Sequence, residues 1–359
     1  MTLVLQDISK TVAGQTHIHN TDLTLQKGTM NVLLGATLSG KTSLMRLMAG
    51  LDKPTTGKIF WNDADVTGMR VQDRHVAMVY QQFINYPAMS VYDNIASPLR
   101  LQGKSKDEID MAVRKTAVLM KLTPHLDAKP LALSGGQQQR CALARALVKD
   151  AGLVLLDEPL ANLDYKLREE LREEIPRYFE ASGAIFVYAT TEPEEALLLG
   201  GNTVTLYEGR ITQFGKTPEV YRRPCDRITA QVFSDPPMNF MAVQKAGSRL
   251  NFEDGQSAPA PDGLADGHYT AGFRPHHLEI HRRHKTEMEF KCRLMVSEIT
   301  GSETYLHVEH KDERWIVQAG GVHDVRSGDA LSVFLDPAHV YLFDGDGALA
   351  APAGFGRGA

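Results

Sequence analysis

The sequence predicts an α/β domain over residues 1–234 followed by a small all-β domain over 235–345. Short apolar runs alternate with segments of helical period through the first part, the pattern of a layered α/β sheet whose strands are covered on both faces. After SDPPMNF the texture changes to short alternating runs such as CRLMVSEI, YLHVEH, RWIVQAG and LSVFL, the period of half-buried strands. A chain of 359 residues has room for both cores, since single cores stop growing near roughly 250–300 residues.

Taken in order, Asn31–Leu34, Leu153–Leu156 and Ile185–Tyr188 read as buried strands. Ile109, Ala112, Val113, Thr116, Ala117 and Met120 recur at helical spacing, as do Leu163, Leu167, Leu171 and Ile175. QSAPAPDGLADGH reads as a Pro/Gly/Ala-rich link, and GDGALAAPAGFGRGA lacks any period, so residues 346–359 are expected to form a disordered tail.

Composition narrows the function. With 43% hydrophobic and 23% charged residues and a formal net charge of -5, the chain reads as globular and not as a nucleic-acid partner, which would carry a basic excess. No run approaches the length of a membrane span, and MTLVLQDISK lacks the basic and apolar segments of a leader, so a cytosolic protein is expected. Cys141, Cys225 and Cys292 are scattered and suit reduced thiols.

The chemistry lies in a few strings. GATLSGKTS places Gly35, Ala36, Thr37, Leu38, Ser39, Gly40, Lys41, Thr42 and Ser43 between an apolar strand and a helix that Gly50 stops. Such a loop lets backbone N–H groups converge on phosphate, while Lys41 adds charge and Thr42 offers a hydroxyl to Mg²⁺. GLVLLDEP delivers Asp157 and Glu158 at the carboxyl end of a strand, where ligands sit in open α/β sheets. Asp157 suits the Mg²⁺ shell and Glu158 the polarisation of water, although a strand entering an acidic helix start gives the same two residues. In LSGGQQQRCALARALV, Ser134 and Gln137 fit a helix capping box. Gly135 and Gly136 do not follow from a cap. A glycine in a helix costs roughly 1 kcal/mol, so the pair points to the close approach of another backbone or a phosphate.

These motifs in this order resemble the ATP-binding cassette ATPases over residues 1 to about 224. The resemblance implies a P-loop ATPase domain with a helical signature subdomain over about 86–150, and ATP with Mg²⁺ sandwiched between two subunits. It further implies that Ser134, Gly135, Gly136 and Gln137 serve the partner's nucleotide. Gln81 in VYQQF would sense Mg²⁺ and the attacking water, and LANLD, ending at Asp164, would cross the dimer interface. QQFINYPAMSVYDNIASPL is similar to the segment by which sugar-type importer ATPases of bacteria receive their membrane subunits, although Phe83, Tyr86, Pro87 and Met89 read equally well as core. FSDPPMNF, FRPHHLEI, GSETYLHV and DPAHVYLFD resemble the appended β domain, OB-like, of maltose-type importer ATPases. His276, His277, His323 and His339 do not have the spacing of a metal-ligand set.

The family resemblance carries expectations about partners: a second homologous ATPase subunit, two membrane-spanning permease subunits and a periplasmic or lipid-anchored substrate-binding protein, with the chain peripheral on the cytoplasmic face of the inner membrane. A cassette ATPase of repair or translation would need a duplicated cassette or a basic surface, and neither is present in the sequence.

The chain also departs from that pattern. No Phe, Trp or Tyr precedes Phe60 to stack on adenine; Val12 stands in that place, and His17 or His19 is the candidate substitute. Thr191 occupies the position of the family's histidine that contacts the γ-phosphate, and Thr191 with Glu194 also fits a helix capping box. Both features, with QQFINYPAMSVYDNIASPLR and YATTEPEEALLLGG, resemble the paired ATPases of bacterial glycerol importers and imply a heterodimer that moves glycerol, while a sugar, a sugar phosphate or a polyamine remains an alternative cargo of the same class.

Overall fold

The computed structural model describes residues 1–161, 163–252 and 255–354. The chain forms two compact units, Met1–Thr217 and Pro218–Ala359.

Two long strands open the first unit, β1 (Thr2–Val12) and β2 (Gln15–Gln26). They pair antiparallel with β4 (Thr56–Trp61) and β5 (Ala64–Asp65) in a four-stranded sheet, so the chain does not begin with the expected strand–helix alternation. Leu3, Leu5, Ile8, Ile18, Leu23 and Leu25 turn inward from this hairpin and join the core of the second sheet.

That second sheet carries the site. Between β2 and β4 lie β3 (Met30–Leu34) and α1 (Lys41–Ala49), and β6 (Val76–Val79) follows β5. Three helices then occupy most of residues 91–147: α2 (Val91–Leu101), α3 (Lys106–Leu119) and α4 (Gly135–Leu147). β7 (Leu153–Asp157), α5 (Tyr165–Ser182), β8 (Ile185–Thr190), α6 (Pro193–Leu199), β9 (Asn202–Tyr207) and β10 (Arg210–Lys216) complete the unit. The strand order is β10-β9-β3-β8-β7-β6, parallel except for the β9–β10 hairpin. Every residue of β3, β7 and β8 is buried, as expected for parallel strands covered on both faces. Parallel pairing also brings the carboxyl ends of β3, β6, β7, β8 and β9 to one edge, where an open α/β sheet binds its ligand.

The helical patterns read from the sequence fall on α3, which buries Ile109, Val113, Thr116 and Ala117, and on α5, where Leu171 and Ile175 are buried. Leu163 precedes α5, and the side chain of Leu167 lies outside the described residues, as does Asn162 of the LANLD loop. α3 and α4 begin with the same device: Ser105 with Glu108 and Ser134 with Gln137 each form a complete capping box.

The second unit begins with α7 (Thr217–Arg222, its first residue on the boundary) and α8 (Arg227–Val232). The strands are β11 (Asn239–Ala246), β12 (Arg249–Phe252), β13 (Ser257–Pro259), β14 (Gly267–Phe273), β15 (Leu278–Glu279), β16 (Met288–Ile299), β17 (Glu303–His310), β18 (Glu313–Gly320), β19 (Ala330–Leu335), β20 (Tyr341–Phe343) and β21 (Leu349–Ala351). They make a six-stranded and a five-stranded antiparallel sheet around a core centred on Trp315, which meets Phe273 and Phe290 edge-on at 5.1 and 5.4 Å.

Three expectations are corrected here. The units divide at residue 217, not 234, because the buried Arg274 guanidinium donates at 2.8 Å to both Phe233 O and Tyr221 O and draws α7 and α8 onto the β unit. QSAPAPDGLADGH is no link between domains: it contributes β13 to the edge of the six-stranded sheet, with Ala258 buried. Nor is the end disordered as far as it is described, for β21 pairs with β20 and Ala353 is buried, while residues 355–359 lie outside the described ones. In both segments small residues suffice because a neighbouring strand supplies the hydrogen bonds.

Candidate active site

The loop from Gly35 to Gly40 follows β3 and turns directly into α1. Its geometry depends on glycine at two points. Gly40 has φ 106°, a conformation that disfavours any side chain, and a Cβ at Gly35 would collide with Leu206 O and Ser39 Oγ. Leu38, also at positive φ, points to solvent. Lys41 is buried, and its Nζ donates to Gly35 O at 2.7 Å and to Ala36 O at 3.0 Å.

β7 brings two carboxylates to this loop. Asp157 is buried and its Oδ2 accepts from Thr42 Oγ1 at 2.8 Å. Glu158 sits in the left-handed region at φ 45°, its N–H donating to Ala189 O at 3.0 Å. That turn directs its side chain back over the loop, with Oε1 3.7 Å from Lys41 Nζ and Oε2 accepting from Gln81 Nε2 at 2.8 Å. Burial pushes the Asp157 carboxyl up and lowers the Lys41 ammonium, the latter opposed by the charges of Glu158 and Asp157. Lys41 and Asp157 are thus short of solvent and poised to interact with added charge.

A cavity of about 560 Å³ opens on this cluster. Thr37, Leu38, Gly40, Lys41, Thr42, Ser43, Gln81 and Glu158 line one part of it, while Gln15, Thr16, His17, Glu208 and Gly209 line the rest. Of the two histidines suggested by the sequence, His17 borders the cavity and His19 does not. Glu208 and Gly209 were not foreseen. Their turn is legible as a hairpin in LYEGRI, but its place beside the loop follows from β9 pairing with β3, and it is secured by Gly209 N donating to Ser39 O at 2.9 Å and His19 N to Gly209 O at 2.9 Å.

The fit to a phosphate and a divalent cation can be tested on these atoms. Ser39 Oγ is buried with no hydrogen-bond partner among the described residues, an orphan at the centre of the loop. Thr42 and Asp157 juxtapose two hard oxygen donors of the kind Mg²⁺ selects. The residues present fit both groups.

The remaining predicted residues lie elsewhere. Ser134 caps α4, Gln137 Nε2 lies 3.1 Å from His125 Nε2, and neither they nor Gly135 and Gly136 border the cavity. A Cβ on Gly135 would meet nothing within 4 Å, so no contact inside the chain calls for glycine there. Thr191 is exposed, does not line the cavity and is not a helix cap: the N-cap of α6 is Glu192. The capping-box expectation for Thr191 and Glu194 fails because Pro193 sets the start of the helix one residue later, and Thr190 Oγ1 accepts from Glu192 N at 3.0 Å instead. Tyr86, Pro87 and Met89 are exposed and Phe83 is half-buried, so the core reading of that segment is corrected. In the second unit the His276 ring meets that of His277 edge-on at 4.3 Å and His277 stacks on His339 at 4.1 Å, while His323 turns away to Gly320 O. No group of three or more His, Cys, Asp or Glu among the described residues is arranged to hold a metal ion.

A family model described as ABC transporter matches residues 18–161, and one described as TOBE domain matches residues 271–343. The sn-glycerol-3-phosphate import ATP-binding protein of Cupriavidus metallidurans is 35% identical over 355 residues, covering 95% of this chain and 96% of the relative. The alpha-glucoside transport ATP-binding protein of Rhizobium meliloti is 35% identical over 356 residues, covering 96% and 98%. Among solved structures, a dimeric ATP-binding cassette in a post-hydrolysis state bound to ADP and Pi superimposes with a TM-score of 0.55 at 25% identity, covering 60% of this chain and 98% of the other.

Proposed function

The chain belongs to the ATP-binding cassette importer ATPases of the sugar-type class and hydrolyses ATP to power import, and on that premise we propose that the cavity over Lys41 and Glu158 is its catalytic site. The observation that carries this reading is the convergence of two other segments on Glu158, with Gln81 Nε2 at 2.8 Å and Lys41 Nζ at 3.7 Å from its carboxylate.

The backbone of Gly35–Ser43 cradles the phosphates, and Lys41 exchanges its contacts with Gly35 O and Ala36 O for phosphate oxygens. Mg²⁺, when bound, neutralises charge on those oxygens, and Thr42, Gln81 and Asp157 would hold it. Glu158, beside Gln81, accepts a proton from the attacking water while Gln81 orients that water. Glu158→Gln keeps the shape but cannot accept the proton. ATP binding should persist and turnover at this site should fall by at least about a hundredfold, read by single-turnover hydrolysis; a wild-type rate would overturn the assignment.

The working unit is a dimer with a second, non-identical ATPase subunit. Support comes from Gly135, where a Cβ would meet nothing within 4 Å and which leaves room for a partner's nucleotide beside the α4 start, and from Thr191, whose short exposed side chain does not line this cavity. Mixing the two subunits and inactivating one catalytic glutamate at a time tests this. The expected result is that the partner's glutamate matters more; a homodimer of this chain as fast as the mixed dimer would refute it.

The assembly includes two membrane-spanning permease subunits and a substrate-binding protein, with this chain peripheral on the cytoplasmic face of the inner membrane. None of its described helices is long and apolar enough to cross a membrane. Its cargo is a small polyol or sugar-type substrate. Motif resemblance supports glycerol, whereas the name of the Cupriavidus relative supports sn-glycerol 3-phosphate, and uptake of each by the assembled importer decides between them.

A further inference from the structure

β8 lies between β3 and β7, the strands that deliver the phosphate loop and the catalytic carboxylate. Its last two carbonyls reach both: Gly35 N donates to Thr190 O at 3.4 Å and Glu158 N donates to Ala189 O at 3.0 Å. In register, Leu34 stands opposite Thr190 and Asp157 opposite Ala189. A shift at the end of β8 therefore moves both halves of the site.

That strand end is tied from behind by one buried carboxylate. Glu195, on α6, is 5% exposed, and its Oε2 accepts from Thr190 Oγ1 at 2.6 Å and from Tyr188 OH at 3.1 Å. Its Oε1 accepts from Arg172 Nη2 at 3.3 Å, and the same Arg172 continues to Glu192 at 2.9 Å and to Glu169 at 2.7 Å. Thr190 Oγ1 closes the circuit by accepting from Glu192 N at 3.0 Å. Three elements, α5, β8 and α6, are thereby joined through one buried carboxyl group and its hydrogen-bond partners.

We infer that Glu195 is a positioning residue for ATP turnover: through Thr190 and Tyr188 it holds the end of β8, and with it Gly35 and Glu158, in the geometry the reaction needs. It touches no substrate. The inference rests on the assignment of Glu158 to catalysis. Because reacting groups displaced by about 1 Å can lose up to about a hundredfold in rate, loosening this anchor should appear in turnover before it appears in binding.

The test uses the full-length chain assembled with its importer partners. Glu195→Gln keeps the volume, but its single carbonyl oxygen either accepts from the two hydroxyls, which sets its NH2 against the donor Arg172, or accepts from Arg172, so it cannot accept from all three partners. Thr190→Val removes the hydroxyl at constant shape, and Thr190→Ser retains it. Expected are a fall in kcat of about tenfold or more in Glu195→Gln and Thr190→Val, with ATP affinity within about threefold of wild type, and near-normal kcat in Thr190→Ser. A kcat within about twofold of wild type in Thr190→Val, or equal losses in Thr190→Val and Thr190→Ser, overturns the inference. So does a fall in kcat matched by an equal loss of ATP affinity. Turnover surviving in Glu158→Gln would overturn the site assignment and this inference together, whereas turnover lost there but kept in Glu195→Gln and Thr190→Val overturns only the positioning role.

Discussion

Lys41 shows how a single side chain can be held ready for an anion. It is buried, its ammonium is lowered by that burial, and two of its contacts are backbone carbonyls that a phosphate can replace. A charge-assisted hydrogen bond is worth about 1.5–3 kcal/mol, so Lys41→Ala should weaken ATP binding by roughly ten- to a hundredfold. Titration with a fluorescent ATP analogue checks this, and unchanged affinity would remove the loop from nucleotide binding. At the same scale, the string ATT near residue 190 shows a limit of local reading. The sequence offers Thr191 as the helix cap, yet it is the adjacent Thr190 that is buried and bonded to Glu195 and Glu192, because the packing of α6 against β8 engages the strand's last residue.

At the scale of the element, α3 and α4 offer an internal comparison. Both start with a complete capping box, so Ser105→Ala and Ser134→Ala should each cost about 1 kcal/mol of stability for the same reason. Only the second should also slow turnover of the dimer, since Ser134 belongs to the string with open space around Gly135. Melting temperature and steady-state hydrolysis, measured on both variants, separate the two effects; equal turnover in both would reduce Ser134 to a cap.

For the whole molecule, the exposed residues of the segment after β6 are the informative ones. Tyr86 and Met89 are 47% and 38% exposed, and the Tyr86 ring carries the Arg145 guanidinium 4.8 Å above it. Exposed positions tolerate substitution within about 0.5 kcal/mol, so Met89→Glu should leave the fold intact, and if this surface receives the membrane subunits it should release them. Copurification of the membrane subunits, with a thermal melt of the variant as control, measures both parts. Retention of the subunits by a folded Met89→Glu chain would move the docking surface elsewhere.

The sequence by itself determined the chemistry-bearing strings and the short apolar strands that carry them. A phosphate loop is a local object: glycine conformation, a lysine and a hydroxyl within nine consecutive residues suffice to describe it, and Asp157 and Glu158 are adjacent at the end of one apolar run. Tertiary structure decided what depends on pairs far apart in the chain. It set Glu208 and Gly209 beside the loop through β9, gave Thr190 and not Thr191 to the anchoring of α6, and drew residues 218–234 and 346–354 into the second unit. No local pattern encodes these, because sheet order and the burial of Arg274 and Glu195 arise only when distant segments meet.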